Sequence, residues 1–247
     1  MVDFKIGCSG FLYDHWRNNF YPEDLTKNYW LEYYSKHFST VELNVTFYRL
    51  PERETFIKWY HSTPENFVFS LKGSRFITHV KKLKDCAEPI EAFLSRALLL
   101  KEKLGSILWQ LPPNFNVDVD RFKNFIDSLK PYALRNAFEF RNKSWINKKI
   151  IDTLEREKAS FCIADYPEFL NTLPVTADFV YIRRHGKEGS YTTSYSVEFL
   201  KQDAKKIKSY LKQKKDVFIY FNNDALGYAP KNASELVTLL DKKGKKR

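Results

Sequence analysis

The sequence has little cysteine. It also has no apolar segment long enough to cross a membrane. Three of its 247 residues are cysteine, an odd number without a C-x-x-C pair. This argues against a disulfide framework and favours a reducing compartment. No apolar run approaches the roughly 20 residues of a transmembrane helix, and the first predicted strand begins at Phe4, which leaves no room for a signal peptide. We therefore expect a cytoplasmic protein without a membrane partner.

Acidic residues are scarce relative to basic ones. The chain has 41 Lys and Arg against 30 Asp and Glu, which gives a formal net charge of +11. Seven of the lysines fall within a predicted helix over 197–215, and more follow in the segment 242–247. Such a surface can attract nucleic acid. The lysines are scattered around the helix without interleaved exposed aromatic residues or arginines, which favours a solvated lysine-rich face over a nucleic-acid footprint.

Short runs rich in β-branched and aromatic residues recur along the chain and predict eight strands. They span 4–9, 40–44, 68–72, 106–110, 136–140, 160–165, 179–183 and 217–221. Amphipathic stretches between them predict helices over 29–37, 52–62, 89–104, 119–130, 147–158, 197–215 and 233–243. Eight strand–helix units in a chain of this length are typical of a (β/α)₈ TIM-like barrel, which needs about 250 residues. We expect one α/β domain over 1–247, irregular at the sixth crossover, where Pro167 and Pro174 leave no room for a full helix.

Polar and charged residues follow almost every predicted strand. In such barrels the carboxyl ends of the strands form the active face. Because side chains alternate along a strand, Glu42 and Asn44 share a face, and the apolar residues between them must face the helices. The same alternation predicts two further pairs that point inward and sends Arg184 outward. Those pairs are Glu139 with Arg141, and Arg183 with His185.

The predicted face brings together carboxylates and cations. The carboxylates are Glu42, Glu139 and Asp165, and the cations are Lys72, Arg141 and Arg183. Buried charges are costly unless they are paired, so either these groups close the barrel as a self-satisfied network or they bind a ligand. Arginine matches phosphate and carboxylate with a bidentate fork. For an enzyme, the predicted acid–base residues are Glu139, His185, Glu42 and Asp165.

Metal binding is the competing interpretation of the same face. His79, Glu139, Asp165 and His185 are residue types that ligate Zn²⁺ or Mn²⁺ in barrels. The chain has no local ligand spacing such as H-x-x-x-H, and three nearby cations would repel a metal ion. We therefore assign no metal ligands, and the cofactor is unknown, with a divalent metal as the alternative.

Several motifs, taken together, resemble those of the DUF72 (YecE-like) family. They are Gly7-x-Ser9-Gly10 with Tyr13 and Trp16, Phe20-Tyr21-Pro22, Thr40-Val41-Glu42-Leu43-Asn44 with Thr46-Phe47-Tyr48, Phe67-x-Phe69 with Lys72, Thr78-His79, Gln110-Leu111-Pro112-Pro113, Glu139-x-Arg141 with Ser144-Trp145, Arg183-x-His185-Gly186 and Phe221-Asn222-Asn223-Asp224. The resemblance spans nearly the whole chain. Phe11 stands where the family usually has Trp, a change expected at the rim of the site.

The resemblance implies a barrel with a shared pocket, but it names no activity. The implied pocket residues are Glu42, Asn44, Lys72, His79, Gln110, Glu139, Arg141, Asp165, Arg183, His185 and Asn222. A looser likeness to metal-dependent phosphodiesterase barrels of the endonuclease IV type is an analogy of fold alone.

These observations lead to one expected function and three alternatives. We expect an enzyme that acts on a small phosphate- or carboxylate-bearing substrate by general acid–base chemistry. The predicted substrate-binding residues are Lys72, Arg141, Arg183, Asn44, Tyr48, His79, Gln110, Trp16, Trp145 and Asn222, of which Tyr48, Trp16 and Trp145 are expected to wall the pocket. The alternatives are a nucleic-acid-binding protein, a metal-dependent phosphodiesterase and a non-catalytic ligand-binding protein.

Overall fold

The strands of this chain close into a parallel barrel. A computed structural model describes residues 3–241. Within them the strands are β1 Phe4–Cys8, β2 Thr40–Leu43, β3 Val68–Lys72, β4 Leu104–Leu111, β5 Asn136–Phe140, β6 Ser160–Ala164, β7 Phe179–Arg184 and β8 Asp216–Phe221, in the spatial order β1-β8-β7-β6-β5-β4-β3-β2. A single bridge between Ser9 and Glu42 joins β1 to β2 and completes the ring. The predicted TIM-like barrel is therefore confirmed.

Helices follow the strands on the outside of the barrel. They are α1 Trp30–His37, α2 Val45–Tyr48, α3 Arg53–His61, α4 Ala87–Ala97, α5 Val119–Leu129, α6 Lys148–Arg156, α7 Val197–Lys212 and α8 Tyr228–Asp241. Between β6 and β7 the described chain forms only the 3₁₀ turn Glu168–Thr172, as the two prolines predict. No helix in the described part of the chain has the length and apolar character to cross a membrane.

Three helices differ from the sequence prediction. The short helix α2 was not predicted at all, and two others have different bounds. The predicted helix 89–104 is α-helical only to Ala97, because Lys101 takes a left-handed φ of 50° within the 3₁₀ segment Leu98–Lys103. Helix α8 begins five residues before its predicted start. Pro230 lies in its first turn, where a missing N–H removes no helical hydrogen bond. The predicted end of this helix, 242–243, lies outside the described residues.

The packing of α5 shows how the helices cover the barrel. The Asp118 side chain caps its N-terminus by accepting from the backbone N–H of Arg121 at 3.0 Å. Its apolar face buries Phe122 and Phe125, and the Phe122 ring lies edge-on to Phe138 of β5 with centroids 5.0 Å apart. Burial of one such ring stabilises the fold by about 2 kcal/mol. The outward face of each strand is therefore apolar, and polar residues are left to point inward.

The inside of the barrel becomes more polar toward the carboxyl ends of the strands. Phe179 and Phe218 pack together at the lower end. Above them the Tyr220 hydroxyl lies 2.8 Å from Thr40 Oγ1 and 2.7 Å from Ser70 Oγ. The next layer toward the carboxyl ends consists of charged residues, among them Glu42. Arg184, as predicted, points outward, where it pairs with Asp203 of α7 at 2.6 Å.

Candidate functional site

A cavity of about 580 Å³ opens at the carboxyl ends of the strands. Four of its lining side chains are cationic, and none of the described lining residues is a carboxylate. The lining residues are Tyr13, Asn44, Phe47, Tyr48, Lys72, Arg75, His79, Gln110, Arg141, Arg183, Tyr191 and Asn222. The structure thus brings together eight of the residues that the sequence predicted for the site: Asn44, Tyr48, Lys72, His79, Gln110, Arg141, Arg183 and Asn222.

Arg183 forms the floor of the cavity and is held from below by two carboxylates. Its Nε and Nη2 donate to Glu42 at 3.1 and 2.8 Å, and its Nη1 donates to Glu139 at 2.8 Å. Burial works against the charge, but the two carboxylates outweigh it and hold the pKa of Arg183 well above its usual value. Three of its five N–H bonds are therefore used inside the protein.

Glu42 is fully occupied by structural contacts. Besides Arg183, it accepts from the Ser9 hydroxyl at 2.6 Å and from the Tyr181 hydroxyl at 2.7 Å. It is completely buried and does not line the cavity. The predicted acid–base role is not what this geometry serves, because four donated hydrogen bonds hold Glu42 as a positioning residue for Arg183.

Glu139 joins the floor to the wall of the cavity. Its Oε1 accepts from Arg141 Nε at 2.6 Å while Oε2 accepts from Arg183. Burial alone would raise the pKa of Glu139, but Arg141 and Arg183 outweigh it and lower that pKa well below its usual range. Glu139 is thus a charged anchor and a weak base.

The charges of the floor balance one another, and Lys72 is not part of this balance. Glu42 and Glu139 offset Arg183 and Arg141, so the self-satisfied network expected as one alternative describes the floor of the site. It does not describe the cavity above it. Lys72 lines that cavity, and within residues 3–241 its amine makes neither a hydrogen bond nor an ion pair. The ligand-binding interpretation therefore applies to the upper layer.

The Lys72 amine is poised between its charged and neutral forms. Its Nζ lies 4.1 Å from the centroid of the Phe47 ring. Burial, reinforced by the positive charge of Arg183, lowers the pKa of Lys72 from 10.5 to about 7. A cavity amine with a pKa near neutrality is suited to proton transfer or to nucleophilic attack.

His79 lies beside Lys72 as a neutral imidazole. The Thr78 hydroxyl donates to the carbonyl of Ser74 at 3.0 Å and is left to accept from His79 Nδ1 at 2.9 Å. This assigns the proton to Nδ1 and leaves Nε2 with a free lone pair. Burial, followed by the charge of Lys72, lowers the pKa of His79 to about 4. At neutral pH, His79 is therefore an acceptor of protons or hydrogen bonds.

His185 is buried below the cavity rather than exposed in it. Asn222 Nδ2 donates to its Nδ1 at 3.2 Å, which assigns the proton to Nε2. That nitrogen lies 3.9 Å from Glu139 Oε1 and has no hydrogen-bond partner among the described residues. Burial and then Arg183 lower the pKa of His185 well below its usual value. The structure thus places His185 as a neutral group beneath the predicted site.

Asp165 anchors a loop instead of lining the cavity. One of its oxygens accepts from the backbone N–H of His185 at 2.8 Å, and the other accepts from the Tyr195 hydroxyl. Tyr195 in turn accepts from the Gly186 N–H at 2.6 Å. These contacts hold the β7–α7 loop, which contributes Tyr191 to the cavity. Asp165 therefore positions the loop from outside the cavity, and its predicted acid–base role stays a prediction.

The two tryptophans expected to wall the pocket belong to the core. Trp16 is fully buried, with its ring 5.0 Å from Tyr13 and 5.6 Å from Phe20. Trp145 is also fully buried; it stacks on Phe140 at 4.9 Å and donates to the carbonyl of Phe115 at 2.6 Å. Neither lines the cavity. The loops that carry them fold back over the barrel, and strand parity cannot predict that path.

Four lining residues were missed by the sequence reasoning. They are Tyr13, Phe47, Arg75 and Tyr191. Each lies beyond the end of a strand, in a loop or a short turn, where the alternation of side chains no longer applies. The length of the loops that follow β1, β3 and β7 was a signal for Tyr13, Arg75 and Tyr191. Phe47 follows β2, and both it and Tyr13 stand in motifs of the family resemblance.

The family of the chain follows from comparison with known proteins. The family described as "Protein of unknown function DUF72" matches residues 5–247, nearly the whole chain. The chain belongs to the DUF72 family. This confirms the resemblance that the motifs carry.

Relatives and a solved structure agree with this assignment. The UPF0759 protein YunF of Bacillus subtilis is 29% identical over 272 residues, which cover 96% of this chain and 94% of YunF. The UPF0759 protein YecE of Escherichia coli is 33% identical over 119 residues, 48% of this chain and 43% of YecE. A crystal structure of a DUF72 family protein from Thermotoga maritima superimposes with a TM-score of 0.84 at 29% identity, over 97% of this chain and 99% of that one.

Phe11 departs from the DUF72 pattern, but it does not lie at the rim of the site. It is buried, its ring centroid lies 6.3 Å from that of Tyr34, and its carbonyl accepts from the Tyr21 hydroxyl at 2.7 Å. The expected position at the rim is therefore wrong, because Phe11 is a core residue.

The residues named for a metal site are dispersed in this DUF72 protein. His79 bonds to Thr78, Asp165 anchors the β7–α7 loop, and only His185 and Glu139 approach each other. Among the residues that the structure describes, no group of three or more His, Cys, Asp or Glu side chains has the arrangement of a metal site. The cavity is lined by cationic side chains rather than by a cluster of metal ligands.

Proposed function

We propose that this DUF72 protein is an enzyme that acts on a small phosphate- or carboxylate-bearing substrate at the mouth of the barrel, by general acid–base chemistry. The observation that supports it is the cavity itself, whose described lining includes Lys72, Arg75, Arg141 and Arg183 but no carboxylate. Glu42 and Glu139 offset two of these cations from below, but Lys72 and Arg75 have no such partner in the described chain, and unpaired cations on a concave surface favour an anion.

The cations contribute in different ways. Arg141 and Arg183 are fixed by Glu139 and Glu42 and keep N–H groups that the floor does not use. Arg75 is exposed at the rim and makes no ion pair within the described chain. The fixed guanidiniums orient the anion, because preorganised donors lose little freedom on binding. Arg75 attracts the anion from the rim.

The amides in the cavity suit the uncharged part of the substrate. Asn44, Gln110 and Asn222 lie between the cations, and the buried Oδ1 of Asn44 has no hydrogen-bond partner in the described protein. An amide oxygen in that state favours a donor such as a hydroxyl group on the ligand. Tyr48, 76% exposed, closes one side of the opening.

Lys72 and His79 are the groups best placed to move protons. Lys72 has a pKa of about 7, and His79 carries a free Nε2 lone pair beside it. Glu139 and His185, which the sequence favoured for this role, lie in the floor. We assign Glu139 to positioning Arg141 and Arg183 and to shaping the field in which Lys72 titrates, whereas His185 is a neutral buried group beneath them.

Binding of sulfate, measured by calorimetry, tests the anion site directly. Arg75→Gln should weaken sulfate binding about fivefold, the effect of losing about 1 kcal/mol of charge interaction at an exposed position. Arg53→Gln, an equally exposed change on α3 away from the cavity, should leave binding unchanged. Equal affinities in wild type and both variants would contradict the proposal.

Turnover separates an enzyme from a ligand-binding protein. The protein is incubated with phosphorylated and carboxylated metabolites, and each mixture is followed by mass spectrometry and NMR. Consumption that stops in Lys72→Met but continues in Arg53→Gln supports the enzyme. Compounds that bind in competition with sulfate and are never consumed would instead indicate the non-catalytic alternative.

A polyanion-binding surface on α7 is the second candidate. Lys201, Lys205, Lys208 and Lys212 recur at helical spacing and line one shallow groove, whose described lining contains no carboxylate. Such a stripe can follow a phosphate backbone. Affinity for a single-stranded oligonucleotide should then fall steeply with salt and fall again in Lys201→Glu/Lys205→Glu. An affinity that is independent of the salt concentration and of the Lys201→Glu/Lys205→Glu substitution would rule this candidate out.

A further inference from the structure

The environment of the Lys72 amine indicates more than a proton carrier, and the inference drawn from it rests on the proposed function. We propose that Lys72 is a nucleophile that forms an imine with the carbonyl carbon of an anionic aldehyde or ketone. The substrate class thereby narrows to carbonyl compounds that carry a phosphate or a carboxylate.

The backbone and stem of Lys72 are firmly held at the cavity wall. It is the last residue of β3, paired with Leu108 of β4. Its carbonyl accepts from the Thr46 hydroxyl at 2.7 Å, and the Phe47 ring lies 4.1 Å from Nζ. An attacking amine needs such a fixed approach, since orientation of the reacting atoms supplies much of the rate.

A second buried lysine provides the contrast. Lys103 Nζ donates to the carbonyls of Tyr60 and Thr63 and to the Thr63 hydroxyl, at 2.6, 2.7 and 3.2 Å. A nitrogen that donates three hydrogen bonds is an ammonium without a lone pair. The described chain offers Lys72 no comparable acceptor. Two lysines withdrawn from solvent thus differ in the one property that nucleophilic attack requires.

The charges around Lys72 favour its neutral form. The groups that act on it come from three other strands: Arg183 from β7, Glu139 and Arg141 from β5, and Glu42 from β2. The two carboxylates would favour the ammonium, but both are engaged by the arginines. Burial and Arg183 prevail, so about half of the Lys72 amines are unprotonated near pH 7. Desolvation beside another cation is an established means of activating a lysine nucleophile.

The neighbouring groups can complete the reaction. Arg141 and Arg183 line the same cavity as Lys72, so a substrate whose anion they bind would have its carbonyl carbon within reach of the amine. The nitrogen lone pair forms the C–N bond as the C=O π bond breaks. Both amine hydrogens are transferred to the oxygen, which leaves as water, and the imine remains. The free Nε2 of His79 can carry these protons and can then remove one from the carbon next to the imine.

Chemical labelling of the native protein tests the nucleophile without knowledge of the substrate. The wild-type protein is treated at pH 7 with sodium cyanoborohydride and either formaldehyde or glyoxylate, and labelled peptides are quantified over time. Lys72 should be labelled roughly 100-fold faster than the exposed Lys123 of α5, because a far larger share of its amine is unprotonated. Sulfate should slow labelling of Lys72 and leave Lys123 unaffected.

The outcomes separate this inference from the proposed function. Labelling of Lys72 no faster than of Lys123, with either aldehyde, overturns the nucleophile. If sulfate still binds and Arg75→Gln still weakens that binding, the anionic site survives this result. Fast labelling that saturating sulfate does not slow overturns the anionic substrate, and the proposed function fails with it. A Lys72→Met protein serves as the control for peptide assignment.

Discussion

Arg183 and Glu42 form a bidentate ion pair inside the barrel, 2.8 Å between Nη2 and Oε1 and 3.1 Å between Nε and Oε2. Both side chains are excluded from solvent, with Arg183 1% exposed. Buried charges are tolerated only when they are paired in this way. The pair therefore links strands on opposite sides of the barrel and fixes the floor on which a ligand would rest.

Loss of Arg183 should destabilise the protein, because Glu42 would be left buried and unpaired. We expect Arg183→Met to lower the free energy of unfolding by about 3–5 kcal/mol, measured by urea denaturation. Arg96→Met, which removes a surface pair with Glu52, should cost less than about 1 kcal/mol. Similar effects of the two substitutions would show that the floor is not held by these charges.

Lys72 should make stability depend on pH in a defined window. Its pKa is about 7 in the folded protein and 10.5 ordinarily, so between these values the unfolded chain binds more protons. The free energy of unfolding therefore rises as the pH rises from about 7 to 10.5. Below pH 7 the folded protein carries the full cost of a charged Lys72. Lys72→Met should be more stable than wild type at pH 7 by on the order of 4 kcal/mol, and this difference should vanish near pH 10.5.

The measurement is urea denaturation of both proteins from pH 6 to 10.5. Lys103→Met is the matched control, since it removes a buried lysine that donates three hydrogen bonds, and it should be destabilising at pH 7. A stability difference between Lys72→Met and wild type that does not change with pH would contradict the assignment.

Anion binding should be accompanied by proton uptake at Lys72. A bound sulfate raises the pKa of the amine, which at pH 7 is about half protonated, so binding should take up roughly half a proton. Calorimetry in two buffers with different ionisation enthalpies measures this number. His79, with a pKa of about 4, does not contribute at this pH. The same uptake in Lys72→Met would assign it to another group.

Trp145 should affect stability and leave ligand binding unchanged. Trp145→Phe keeps the stacking on Phe140 but removes the hydrogen bond to the carbonyl of Phe115. We expect a loss of about 1–3 kcal/mol in the free energy of unfolding, together with wild-type affinity for sulfate. A well-folded variant with weakened sulfate binding would return Trp145 to the wall of the site.

The strand ends show how far sequence reasoning reaches. Alternation predicted that Glu42, Glu139 and Arg183 point inward and that Arg184 points outward, and the structure has all four so placed. It succeeds because the outward face of a strand packs on helices and tolerates a charge only where a helix supplies a partner, as Asp203 does for Arg184. Within a strand the period of two residues is enforced by the backbone itself.

The sequence by itself determined the barrel, the face at the carboxyl ends of its strands and most of the charged side chains there, although it missed Arg75. Only the tertiary structure decided which charges cancel and which side chains reach the cavity. Glu42 and Arg183 are 141 residues apart, and their pairing depends on distances across the closed barrel. The pKa of Lys72 likewise depends on burial and on the field of other strands. Neither quantity has a local pattern in the chain, since both arise where distant segments meet.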